Sequence, residues 1–376
     1  MATAAANDWR NGLARNAPGW FFMAAVLGLS LFGLIILYSA TRTQDAAIVT
    51  KQAMWLSIAL VAGAITYCLD LEKIRSFFWP LFASALGLLG LVLVAGREIN
   101  GAKRWIDLGP MNFQVSDFAK IALVLLLADY LARNQRELQS FRKGFAQPLV
   151  IVGLLAGLIF LQPDYGTAAL TGFVGVSMLF LAGVRLSYLL PTGVIVSVLF
   201  SIAVYLDPVR LKRITSFLDI EANKSDGAYQ LWQGILAFGA GGWSGVGLGN
   251  GRQQMAFLPE AHTDFIFPVI GEELGFVFTA GVALIFGAIF ILVWSNLKRA
   301  PSLYAYLIAA GALLLITTQA LINFGVSTGL LPTKGMSLPF ISYGGSNLVG
   351  VYVLVGLILN CFREWNRPAL RRASEL

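Results

Sequence analysis

An all-α polytopic membrane protein of about ten transmembrane helices, with a large extracytoplasmic loop between helices 7 and 8, is the architecture this sequence predicts. Three observations carry that expectation. The 376 residues are 57% hydrophobic and only 12% charged, with a mean hydropathy of +0.73. Apolar runs of about 18–25 residues recur, each long enough to cross a hydrocarbon core of about 30 Å. The runs are continuous rather than alternating with a period of two, which excludes an outer-membrane barrel. The only cysteines, Cys68 and Cys361, are too far apart in sequence to suggest a disulfide framework or a thiolate metal site. The net charge of +7 is explained by basic residues on the cytoplasmic side, without nucleic acid.

In chain order the spans are expected near 20–40, 52–69, 77–95, 114–132, 146–162, 167–183, 189–206, 267–295, 303–327 and 339–362. The first 18 residues lack a signal-peptide core and cleavage site, so the first run is expected to stay as a helix. An even number of spans puts both termini on one side. Fifteen lysines and arginines fall in the termini and alternate loops, against six in the opposite short loops. That bias places tails 1–19 and 363–376 in the cytoplasm and the 207–266 loop outside, the whole chain forming one membrane domain. Within the loop, 219–227 is polar and 228–238 reads as an amphipathic stretch along the bilayer surface. Residues 239–251 hold seven glycines and read either as backbone that approaches an anion closely or as a hinge.

The densest ionisable segment is LPEAHTDFIFPVIGEELG, Leu258–Gly275, with four carboxylates and the only histidine. Charge is unfavourable at the mouth of an apolar span, so the segment reads as a functional site or, more plainly, as a helix cap using Thr263 or Asp264. A helix through Asp264 would set Pro268, Gly271 and Gly275 near its azimuth, leaving room beside the carboxylate. Partial desolvation would raise the pKa of Asp264, as suits a general base. His262 reads as a structural hydrogen-bonder, and a single histidine is poor support for zinc. Asp117 and Lys120 lie three apart on one helical face, as a functional pair or as a lock. Arg104 beside Trp105 reads as an interfacial cation or a phosphate contact. In QPDYGT, Asp164 reads as a cap after a tight turn. The two prolines and the Gly and Ser clusters of 329–348, which include Lys334 and Ser342, read as a broken, re-entrant approach to the last span beside a cavity.

Taken together, LPEAHTDFIFPVIGEELG, NGAKRWIDLG with QVSDFAK, QPDYGTA and GLLPTKGMSLPFISYGGS resemble the SEDS proteins, which polymerise bacterial peptidoglycan. The motifs stand in the family's order from about residue 100 to residue 347, and Ala261 with LLPTKG is closer to the division type than to the elongation type. The resemblance implies a glycosyltransferase of the bacterial inner membrane that polymerises lipid II, a disaccharide-pentapeptide on undecaprenyl pyrophosphate, during septal wall synthesis. Asp264 matches the family's essential aspartate, which would act as general base in a single inverting displacement. The resemblance further implies substrate contacts from Arg104, Lys120 and Lys334, with His262, Thr263 and Glu260 beside them. Asp117, Asp164, Glu272 and Ser342 would support the site. A divalent cation, Mg or Mn, could share the leaving-group role, although no residue cluster defines a metal site. The implied partners are a class B penicillin-binding protein transpeptidase and other division proteins. The residues alone leave two alternatives open: a lipid II flippase using Asp117, Lys120 and Glu272, and a non-catalytic division scaffold.

Overall fold

The computed structural model of the chain describes residues 2–41, 47–99, 102–107, 112–253, 258 and 260–365. Helices α1 (Ala2–Thr41), α2 (Ala47–Cys68) and α3 (Phe78–Ala95) lead into a small antiparallel sheet, β1 (Arg97–Ile99), β2 (Ala102–Asp107) and β3 (Asn112–Gln114), in the order β1-β2-β3. Then come α4 (Val115–Arg133), α5 (Gln147–Leu161), α6 (Tyr165–Ala182), α7 (Leu186–Leu206), α8 (Pro208–Leu218), α9 (Tyr229–Gly241), α10 (Ile266–Asn296), α11 (Leu303–Ser327) and α12 (Gly345–Trp365).

Among the described residues, nine helical segments are long and apolar enough to cross a membrane. The tenth expected span is α4, which holds Asp117, Lys120, Asp129 and Arg133 and fails on composition alone. Its charges are tolerated because α3, α5, α6, α11 and α12 surround it and leave most of its residues buried, which is where ionisable groups in a membrane helix survive. Helix α11 is the core element, with 72% of its span buried against 11% for the peripheral α7. Residues 2–19, expected as a tail, continue α1 as helix, and most of the expected C-terminal tail, 366–376, lies outside the described residues.

The long loop departs most from the sequence expectation. Asp207 accepts from the backbone N–H of Val209 (3.0 Å) and Arg210 (3.2 Å), and Pro208 fills the first helical position. The Asp-Pro pair therefore starts α8, which the apolar pattern alone did not suggest. Helix α9 covers the stretch expected at 228–238 and packs on the bundle by one face. Its face of Leu231, Gly234, Ala237 and Gly241 is buried against α10, and Gly241 has no room for a methyl group against the Gly271 carbonyl.

The glycine-rich segment 239–251 has a structural task. Helix α10 breaks at Gly275, whose φ of 77° and ψ of −171° are open only to glycine. The break strands helical carbonyls and amides, which must find partners at membrane depth. Val246 and Gly247 N–H donate to the carbonyls of Glu272 (3.0 Å) and Glu273 (2.9 Å), while Phe276 N–H donates to Gly242 O (2.9 Å). The loop thus completes the broken helix, and one of its amides, Gly249 N–H, meets the Glu273 carboxylate at 2.8 Å.

Candidate active site

Four separate chain segments converge beside the start of α10. The first is the turn 260–265, which ends in the N-cap Phe265 without any side-chain cap. Neither Thr263 nor Asp264 caps α10, and the helix begins too late for an azimuth to be drawn from Asp264. Thr263 Oγ1 instead donates to the Glu260 carboxylate at 2.7 Å. Glu260, exposed and with a left-handed φ of 54°, closes the turn by accepting Thr263 N–H and Phe265 N–H on its carbonyl. His262 accepts Tyr343 N–H on its own carbonyl at 2.9 Å and holds no metal-ligand company.

The second segment is the irregular run from 329 to 344, which leads into α12 as the sequence suggests. Side-chain amides hold it. Asn323 of α11 donates to both Met336 O (2.7 Å) and Asp264 O (2.9 Å), and Gln319, one turn earlier, donates to Ser337 O (2.9 Å). Gln52 of α2 donates to Ser342 O (3.1 Å), and Ser342 Oγ accepts Leu338 N–H (2.8 Å). These bonds satisfy backbone that would otherwise be unpaired inside the bundle. They also fix Gly335 against Asp264, leaving no space for a Cβ between them.

The third segment is the turn between α5 and α6. Asp164 caps α6 through Thr167 N–H (3.2 Å), as the sequence suggests, but it also receives Lys334 Nζ at 2.5 Å and Arg104 Nη1 at 3.7 Å. Although burial opposes its ionisation, Lys334 and Arg104 outweigh that effect and hold its carboxyl at about 2. The Lys334 stem lies on Gly166, where any side chain would collide with it. The fourth segment is the sheet. In β2, Arg104 shares a face with buried Ala102 and half-buried Ile106, and is thereby turned inward. It donates to Pro163 O at 2.7 Å.

Asp264 is half-buried at the centre. Its pKa is pushed up to about 6, first by burial and then by the Glu260 charge, with Lys334 and Arg104 pulling the other way. Lys334 is itself pushed down, chiefly by burial. The arrangement is a carboxylate able to accept a proton near neutral pH, beside cations able to meet negative charge.

Three residues expected in or near the site are held by partners of their own. Lys120 pairs with Asp117 at 2.9 Å and reaches Gln319 Oε1 at 3.4 Å, in a small cavity with Asn347. Glu272 accepts the N–H groups of Arg252 (2.7 Å) and Gln253 (3.1 Å), which makes it an anchor for the loop rather than a step in an ion pathway. Among the described residues, no group of three or more His, Cys, Asp or Glu is placed to hold a metal ion. Sequence reasoning missed Gln319 and Asn323, although two amides four apart in an apolar span were the available signal. It also missed Arg210 and Arg213 of α8.

Known proteins resemble this chain in sequence and in fold. A family model described as cell cycle protein, for FtsW, RodA and SpoVE, matches residues 20–367. A protein of Hahella chejuensis named "Probable peptidoglycan glycosyltransferase FtsW" is 40% identical over 359 residues, covering 91% of this chain and 89% of its own. A protein of the same name from Coxiella burnetii is 40% identical over 319 residues, covering 84% and 86%. Among solved structures, a chain of a peptidoglycan synthase complex, studied for its coordination of polymerization and crosslinking, superposes with a TM-score of 0.80 at 29% identity, covering 93% of this chain and 98% of that one. The crystal structure of the rod shape determining protein RodA of Thermus thermophilus gives 0.71 at 28% identity with the same coverage.

Proposed function

The chain belongs to the cell cycle family of FtsW, RodA and SpoVE, and we infer that it acts as its relatives are named to act, as a peptidoglycan glycosyltransferase, with Asp264 as the proton acceptor. It is a multi-pass membrane protein. The substrate is lipid II. The Asp264 carboxylate takes the proton of the acceptor sugar's 4-hydroxyl, and the oxygen attacks the anomeric carbon of a second lipid-linked chain. The bond from that carbon to the diphosphate breaks, the diphosphate leaves with the electron pair, and the α-linkage is replaced by a β-linkage. Lys334 and Arg104 meet the charge that develops on the leaving group, and Asp164 fixes the position of Lys334.

The observation that carries this reading is the position of Asp264: wedged against Gly335, tethered through its carbonyl by Asn323, and raised toward neutral pH within reach of Lys334. Lys334, the cation that pulls most on Asp264, is bonded to Asp164 and not to Asp264, so the Asp264 carboxylate keeps its raised pKa. The distribution of basic residues supports a bacterial inner-membrane protein with both termini in the cytoplasm and this site on the outer side. The likeness to a chain of a synthase complex supports a class B penicillin-binding protein as partner, supplying the crosslinking that this chain's residues do not.

The test is polymerisation of labelled lipid II by the purified protein with its partner. Asp264→Asn is expected to lower the rate by about 10²–10⁴-fold with thermal unfolding unchanged. Equal product from wild type and Asp264→Asn would reject the assignment.

A further inference from the structure

We infer that Arg210 and Arg213, on helix α8 of the long loop, form a phosphate-binding wall that holds the diphosphate of the lipid-linked sugar. This rests on the glycosyltransferase reading and extends the site to an element that the sequence motifs leave out.

The geometry is a surplus of cations. Arg210 Nη2 donates to Pro163 O at 2.9 Å, and Arg104 Nη2 donates to the same oxygen at 2.7 Å, so two guanidinium groups meet across one carbonyl. Arg213 lies within electrostatic reach of both; their charges add to the effect of burial in disfavouring its own charged form. It is half-buried and, among the described residues, forms neither a salt bridge nor a hydrogen bond. With Lys334, four cations face three carboxylates, Asp164, Asp207 and Asp264, and the first two are already engaged. Asp164 is held by Lys334, Arg104 and Thr167 N–H. Asp207 caps α8 and accepts the Tyr165 hydroxyl at 3.1 Å, leaving only a 3.8 Å contact for Arg210 Nε, which has no hydrogen-bond partner.

Like charges crowded in a partly dry site repel strongly, and the groups that relieve the repulsion are anions. A diphosphate suits the arrangement because guanidinium groups bind phosphate oxygens in pairs. The rest of α8 fits a lipid-linked form of that anion. Val209, Ile214 and Leu218 are exposed, as expected of a helix lying at the membrane interface, so one short helix offers apolar surface to the chain and cations to its head. Glycine at 227, packed without room for a Cβ against Ser216, holds the end of α8 in place.

The experiment uses the intact protein with its partner and compares wild type, Arg213→Gln, Arg213→Lys and Arg210→Gln. Lipid II turnover is measured under inhibition by undecaprenyl diphosphate, inorganic pyrophosphate or phosphatidylglycerol. Arg213→Gln is expected to raise KM for lipid II and the inhibition constant for undecaprenyl diphosphate about tenfold or more, with kcat changed less, and Arg213→Lys to recover part of both. Inorganic pyrophosphate should inhibit more weakly than the lipid-linked form. An unchanged inhibition constant in a folded Arg213→Gln protein overturns the inference, as does equal competition by phosphatidylglycerol, which would make α8 a general lipid contact. Failure of both Arg213 variants to fold also overturns it, by making the guanidinium structural. Full activity of Asp264→Asn would instead strike the underlying glycosyltransferase mechanism, whatever the arginines do.

Discussion

Each end of this bundle buries a carboxylate between cations drawn from distant parts of the chain, and the two clusters are built differently. At one end Asp129 takes Arg75 Nε at 2.6 Å and Arg133 Nε at 2.8 Å. Arg75 also binds Glu72 at 2.7 Å and lies over the Tyr304 ring at 4.4 Å. Every charge there has its opposite, and the cluster ties α4 to the turn before α3 and to α11. At the other end Asp164 is just as well held, but cations are left over around it and a second carboxylate, Asp264, stands beside them without, among the described residues, a directly bonded cation. A closed set of charges reports architecture. An open set, with a base on one side and surplus positive charge on the other, reports chemistry.

That contrast can be broken experimentally. The largest effect expected is the loss of turnover in Asp264→Asn with stability retained. The mirror image is Asp129→Asn at the closed end, which leaves two arginines facing a neutral amide. It should cost about 3–5 kcal/mol of stability, read as a lower unfolding temperature in detergent, while kcat of the folded fraction stays near wild type. If Asp129→Asn lost activity without losing stability, the division between the two ends would be wrong.

A smaller effect separates position from charge. Gly335→Ala places a methyl group where the Asp264 carboxyl lies and should lower kcat by about 10–100-fold, since small displacements at a reacting group have effects of that order. Gly356→Ala, at the tight crossing of α12 over Gly63 of α2, is equally crowded but far from the site. It should reduce stability instead, and a kcat loss there as large as that of Gly335→Ala would contradict the account.

The sequence made most of the scaffold legible because crossing a bilayer imposes a length and an apolarity that composition alone reveals. The charged motif around Asp264, the broken run before α12 and the cap at Asp164 were legible for the same reason: polar groups stand out against an apolar background. What was not legible depends on long-range pairing. Asp164 could be read as a cap, but nothing local announces a lysine 170 residues away. The three-stranded sheet was hidden because strands of three to six residues carry too little alternation to be read, and yet that sheet turns Arg104 inward. Asp117 and Lys120 were read as neighbours from their spacing, but spacing could not tell that Gln319 would be their link to the rest. The glycines of 239–251 read as an anion contact or a hinge, because the break they repair, at Gly275, is visible only once α10 is folded.

The central claim is that Asp264 must be ionised to take a proton, and the most direct measurement is the pH dependence of kcat/KM for lipid II. Because the Asp164 clamp titrates only near pH 2, its contribution to stability persists above pH 4 and falls away only in stronger acid, so the range from pH 5 to 8 reads the site rather than unfolding. A group with a raised pKa acting as base loses activity as pH falls through that value. The account predicts a limb falling about tenfold per unit below an apparent pKa near 6, retained in His262→Gln so that the neighbouring imidazole is excluded. A profile that stays flat from pH 5 to 8, or a limb that disappears with His262, would contradict it.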